Sequence, residues 1–71
     1  MAALRRVRVR DVDLYISALD NEEPLVRLFA CQALRRAGKG ARKARPEISK
    51  LTRDKYDYVR REARRALDAL K

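Results

Sequence analysis

Any chemistry in this 71-residue chain falls to arginine, lysine, a few aromatic rings and one thiol. There is no histidine, which closes the nucleophile schemes that need an imidazole base. The single cysteine, Cys31, is too few for a typical zinc site. It cannot form an internal disulfide, so a reducing compartment is expected and the cytoplasm is the predicted location. Gly38-Lys39-Gly40 lacks the spacing of a phosphate-binding loop and follows no strand signal, so it reads as a helix stop and linker. No catalytic residue, metal or cofactor is expected, and the chain is read as a non-enzyme.

What remains is recognition. Nineteen Lys and Arg against ten Asp and Glu give a net charge of +9, which favours an acidic partner. One candidate surface is cationic: Arg35, Lys39, Arg42, Lys43, Arg45, Arg60, Arg61, Arg64 and Arg65. With Tyr56 and Tyr58 available for stacking, it would suit a nucleic-acid backbone. The same residues also read as a solvated surface steadied by pairs one helical turn apart, such as Asp57–Arg61 and Arg64–Asp68. The other candidate mixes apolar and cationic groups: Leu25, Leu28, Phe29, Gln32, Arg36, Tyr58, Arg61 and Arg65. Aromatic and arginine side chains of this kind anchor protein interfaces.

The elements that must position these groups follow from a repeat. The segment starting Val26-Arg27 and ending Ala33-Leu34 returns as Val59-Arg60 to Ala66-Leu67, a constant shift of 33 positions (26 to 59, 34 to 67). Self-similarity at such a period predicts stacked helix pairs. A first helix is expected over 12–19, with Val12, Tyr15, Ile16 and Leu19 on one face and Asp11 as its N-cap. A second covers 24–37, opened by Pro24. Its stripe is Val26, Ala30, Ala33, Leu34 and Ala37, Cys31 is a small packing residue, and Gly38 is a left-handed cap. A basic linker spans 39–45. A third helix runs over 46–53 with Ile48 and Leu51 inward. A fourth covers 57–70, with Val59, Ala63, Ala66, Leu67 and Leu70 buried and Tyr58, Arg61, Glu62 and Arg65 on its open side. No apolar run is long enough to span a membrane. Residues 1–11 form a basic N-terminal arm, in which Ala3-Leu4-Arg5-Arg6 echoes Ala33-Leu34-Arg35-Arg36. The arm is either the stub of an earlier repeat or a frayed segment, and its Leu4, Val7 or Val9 could cover Leu28 and Phe29.

These motifs resemble HEAT repeats, in particular the short HEAT-like type of the phycobilisome-lyase relatives. The first copy reads Tyr15-Ile16, Leu19-Asp20, Val26-Arg27, Ala30, Ala33-Leu34. The second reads Ile48, Leu51, Asp54, Val59-Arg60, Ala63, Ala66-Leu67. The resemblance implies an all-α fold: two stacked helix-hairpin repeats, 12–38 and 46–70, as a short α-solenoid of four helices. It also implies a structural ladder in which Arg27 and Arg60 pair with Asp20 and Asp54, with Asp57 as another acceptor, and a concave partner-binding face on the second helices. The copies differ in their turns, the second carrying one more residue.

Three functions are compatible with this. The first is a non-enzymatic module that binds a partner protein, acidic or mixed acidic and apolar, through the exposed face of the second helices. The second is a nucleic-acid-binding module that uses phosphate contacts. The third is a structural fragment that forms a homo-oligomer through its solenoid ends. A membrane partner is not expected.

Overall fold

The computed structural model describes residues 11–71. The expectations for the N-terminal arm, including Leu4, Val7 or Val9 as a cover for Leu28 and Phe29, concern residues outside that range. Every regular element among the described residues is helical. Helix α1 spans Val12–Ala18, α2 Pro24–Ala37, α3 Arg45–Lys50 and α4 Asp57–Ala69. Two 3₁₀ segments, Gly38–Ala44 and Leu51–Arg53, connect them.

Each boundary has a local cause. Asp11 occupies the N-cap position of α1 but makes no side-chain capping bond, so position alone matches the expectation. The Asn21 side chain folds the next turn by accepting the Glu23 N–H at 2.8 Å. Pro24 then opens α2, where its missing N–H costs nothing. Gly38 ends α2 with φ 63° and ψ −138°. The positive φ was expected; the ψ lies outside the left-handed helical well, because the chain turns directly into 3₁₀ helix instead of closing a left-handed cap.

The stretch expected as a basic linker is ordered by alanine. Ala41 and Ala44 are fully buried and three residues apart, which in a 3₁₀ helix places them on one side. The lysines and arginines between them stay outside. The third helix is shorter than expected, finishing as 3₁₀ turns, yet Ile48 and Leu51 point inward as the spacing required.

The core gathers Val12 and Leu19 of the first hairpin, Ala30, Cys31 and Leu34 of α2, Ala41, Ala44, Ile48 and Leu51, and Val59, Ala63, Ala66 and Leu70 of α4. Tyr15, Ile16, Leu28, Ala37 and Leu67 pack against it, half-buried. Val26 and Ala33 are also half-buried, although their counterparts Val59 and Ala66 are fully buried. The second copy differs in its neighbours: α4 packs against α2, the corresponding helix of the first copy, whereas among the described residues α2 has no corresponding helix before it. Alanines are frequent in the buried parts of α2 and α4 (Ala30, Ala63 and Ala66), and side chains of that size allow helix axes to approach closely.

Gly38 yields a direct test. A Cβ there would meet nothing within 4 Å, so the cost of a side chain is purely that of the backbone. Gly38→Ala should destabilise by about 1 kcal/mol or more. D-alanine at the same position, in a synthetic chain, reaches the mirror of a favoured extended conformation and should stabilise by ~0.4–1 kcal/mol. Urea melts of the three proteins decide it; equal effects of the two enantiomers would mean that φ is not the constraint.

Candidate interaction surface and the charge ladder beneath it

Asp54 sits in the turn between the 3₁₀ segment Leu51–Arg53 and α4, and two arginines converge on it. Arg27, from the first turn of α2, donates through Nε to Asp54 Oδ2 at 2.7 Å and through Nη2 to Oδ1 at 3.1 Å. The same Oδ1 accepts the Tyr56 N–H at 2.9 Å. The Arg60 guanidinium, one turn into α4, donates through Nη1 to the backbone carbonyls of Asp54 (2.7 Å) and Lys55 (3.2 Å). Burial works to raise the Asp54 carboxyl, but the Arg27 and Tyr56 hydrogen bonds outweigh it and hold the group below its ordinary value. The hydrogen bond to Asp54 correspondingly raises Arg27.

The first repeat contains the same device without its acid. Arg27 Nη1 donates to the carbonyls of Asn21 (2.8 Å) and Glu22 (3.0 Å). These acceptors lie 33 positions before Asp54 and Lys55, as Arg27 lies before Arg60. The Asn21 Oδ1 bond to Glu23 N–H likewise matches the Asp54 bond to Tyr56. The expected ladder therefore needs one correction. Asp20 is exposed and makes no ion pair among the described residues; Asn21 holds its place, because the two turns align from the Val-Arg pair backwards and not from the preceding leucine forwards.

A second bridge lies further along the same two helices. Arg35 Nε donates to Glu62 Oε2 at 2.7 Å. Glu62 was expected on the open side of α4; it is instead only 5% exposed, its charge compensated by Arg35 as a buried carboxylate requires. The two bridges join residues in the same order, 27 to 54 and 35 to 62, so α2 and α4 run in one direction. Their counterparts in the first copy, 33 positions earlier, are Asn21 and Phe29. Neither acid that receives an arginine in the second copy is present in the first.

The expected protein-contact residues divide between two helices. On α2, Leu25 (55%) and Phe29 (59%) are exposed, Arg36 is exposed, and Leu28 and Gln32 are half-buried. On α4, Tyr58 is 37% exposed and Arg61 and Arg65 are exposed. Arg61 pairs with Asp57 at 2.8 Å, as its spacing predicts. The Tyr58 ring packs on Tyr56 with centroids 5.6 Å apart, and Lys55 Nζ stands 5.8 Å from the Tyr56 centroid, within cation–π range. Leu14 on α1 is also exposed; it falls between the face positions of that helix and carried no signal.

The cationic set is less uniform than its sequence. Arg35 is held by Glu62, and Arg60 by the Asp54 turn and Asp57. Lys43 pairs with Asp13 at 2.8 Å, and Arg45 is half-buried. Lys39, Arg42, Arg64 and Arg65 are exposed and make no ion pair among the described residues. The expected Arg64–Asp68 pair is replaced by Lys71–Asp68 at 3.0 Å.

Among the described residues, no group of His, Cys, Asp and Glu could hold a metal. A concavity beside the end of α3 is lined by Pro46, Ser49, Lys50, Thr52 and Arg53, and its Thr52 hydroxyl donates to the Ser49 carbonyl at 2.7 Å. Cys31 is fully buried, and burial, with help from Glu62 and Asp54, pushes its thiol up to about 12. None of the described helices is long and apolar enough to cross a membrane. No family model, curated protein or solved structure matches the chain.

Two measurements test this geometry. Because the Asp54 carboxyl is lowered on folding, its contribution is complete above the ordinary carboxylate value near ~4 and is lost as pH falls through the folded value. Asp54→Asn preserves the bond to Tyr56 N–H but loses the charge. It should cost about 2 kcal/mol at neutral pH, with the gap to the parent closing below about pH 4. A gap that is constant from pH 7 to pH 3 in urea melts would place the stabilisation elsewhere. Secondly, labelling of Cys31 by a thiol reagent should proceed only at the rate of opening and so accelerate in step with destabilising variants; rapid labelling of the native protein would contradict its burial.

Proposed function

We propose that the chain is a non-enzymatic, HEAT-like interaction module of two stacked helix-hairpin repeats, 12–38 and 46–70, that binds a partner protein on the exposed side of α2 and α4. The repeat reading is supported by hydrogen bonding that recurs at the period of the sequence: Arg27 on the Asn21 and Glu22 carbonyls, Arg60 on those of Asp54 and Lys55. The observation that carries the functional reading is the exposure of Leu25, Phe29 and Tyr58 on these two helices, together with that of Arg36, Arg61 and Arg65. An apolar and aromatic group within a cationic field suits an acidic partner that also offers apolar side chains.

A second reading, nucleic-acid binding, is favoured by Lys39, Arg42, Arg64 and Arg65, exposed with no carboxylate partner among the described residues. Phosphate contacts give no role to Leu25 and Phe29, which ranks this reading below the first.

The immobilised chain, challenged with cell lysate before and after nuclease treatment, separates the two. Under the leading reading, a defined protein remains bound after nuclease, and its retention falls at least tenfold in Phe29→Asp and in Arg61→Glu/Arg65→Glu while helical circular dichroism is unchanged. Retention that disappears with nuclease, together with direct DNA or RNA binding that drops ~10³–10⁵-fold between ~50 and ~200 mM salt, would establish the second reading instead.

A further inference from the structure

We propose that the outer stripe of α2 binds a second copy of this chain, as an antiparallel helix pair about a two-fold axis at Phe29. This deepens the reading of α2 as an interaction face and rests on it.

The stripe is Leu25, Phe29 and Arg36 at the exposed crest of α2, with exposed Glu22 and Glu23 just ahead of its first residue, Pro24, and half-buried Val26 and Ala33 on its flank. It is symmetric in chemistry about its centre. Residue 29 lies midway between 22 and 36, and between 25 and 33. Two such helices laid antiparallel with Phe29 on the axis place Leu25 against the Ala33 of the other copy. Glu22 and Glu23 then come near the other copy's Arg36, about 10 Å along the helix from the axis on each side. A two-fold interface must be self-complementary in this way, each patch meeting its own reverse. Glu22, Glu23 and Arg36 are exposed and make no ion pair among the described residues, so these charges need give up no other pair to form this one. Phe29, the largest exposed apolar group of α2, falls at the centre, where an interface anchor is best shielded from water.

Head-to-tail stacking does not fit the same face. The trailing side of α4 carries Arg60, Arg64 and Asp68, the counterparts of Arg27, Cys31 and Arg35. Brought onto α2 of another copy as α2 is brought onto α4, it would set Arg60 against Asn21 and Asp68 against Phe29. The acids that receive arginine in the folded chain, Asp54 and Glu62, have no equivalents there. The face therefore closes on its own twin and does not propagate into a filament.

Sedimentation equilibrium of the full chain at physiological ionic strength, over a hundredfold range of concentration, tests the proposal. The expected result is a mass that doubles and then stays constant. Phe29→Asp should raise the dissociation constant at least tenfold. Arg36→Glu and Glu22→Arg/Glu23→Arg should each raise it several-fold, and the combination of all three charge reversals should restore it. These side chains are exposed, so circular dichroism should report an unchanged fold throughout, and Arg61→Glu/Arg65→Glu should leave dimerisation unaffected. A monomer at every concentration, a mass that climbs beyond two copies, or a failure of the reversed charges to rescue would overturn the dimer. A monomer that still loses its protein partner on Phe29→Asp would overturn the dimer and leave the interaction face standing.

Discussion

The structure depends on one aspartate doing three things. Asp54 ends the turn before α4 by accepting the Tyr56 N–H, binds Arg27 of α2 through both oxygens, and offers its backbone carbonyl to Arg60. A chain this small buries only about 60% of its unfolded surface, and much of its core is alanine. The relative placement of α2 and α4 therefore cannot rest on apolar bulk alone. Planar guanidinium groups with fixed donors supply direction that methyl groups cannot. The Asp54 pair sets where α2 and α4 begin relative to each other; the Arg35–Glu62 pair, eight residues further along both, sets how they continue.

Much of the fold was legible because periodicity reports packing directly. The stripe over Val59, Ala63, Ala66 and Leu70 and the proline and glycine at the two ends of α2 locate those helices without reference to tertiary contacts. The 39–45 stretch was read as linker because its lysines and arginines dominate the composition. The informative residues were the two alanines between them, whose spacing of three matches a 3₁₀ period that a search for 3.6 passes over. Glu62 was placed on the open side because its counterpart, Phe29, lies on an open side, and equivalence by repeat assumes equivalent neighbours. Only the second copy has a helix before it among the described residues. The Asp20 assignment failed for a related reason: the longer second turn shifts the register, and the arginine, not the leucine, fixes which turn residue it meets.

The surface was less legible than the core. A count of cations predicts a uniform basic face, but the carboxylates are distributed to neutralise some arginines and leave others. Arg27 and Arg35 are structural cross-links whose charge is met within the chain, and Arg60 is bound largely to carbonyls of its own turn. Which arginines remain in solvent, among them Arg36, Arg42, Arg64 and Arg65, follows from geometry and not from composition. Which of two adjacent arginines is bound, as with Arg35 against Arg36, depends on a rotation of 100° about the helix axis, and so on which helix lies alongside.

The repeat is thus approximate in sequence and directional in electrostatics. The second copy carries acids where the first carries an amide and a phenyl ring: Asp54 for Asn21, Glu62 for Phe29. Both substitutions fall on the side of each copy that meets what precedes it. An acid at position 29 would stand in solvent with no arginine from an earlier repeat among the described residues to meet it, whereas an aromatic ring there retains binding value. A carboxylate at position 21 would likewise lack the guanidinium that justifies it at position 54, while the amide still folds the turn through the same Oδ1 acceptor. The ion pairs that join α2 to α4 have no equivalent in the first copy, where an amide and a phenyl ring stand at the matching positions. Of the two positions that break the pattern, Asn21 keeps the fold of its turn and Phe29 leaves an aromatic ring exposed.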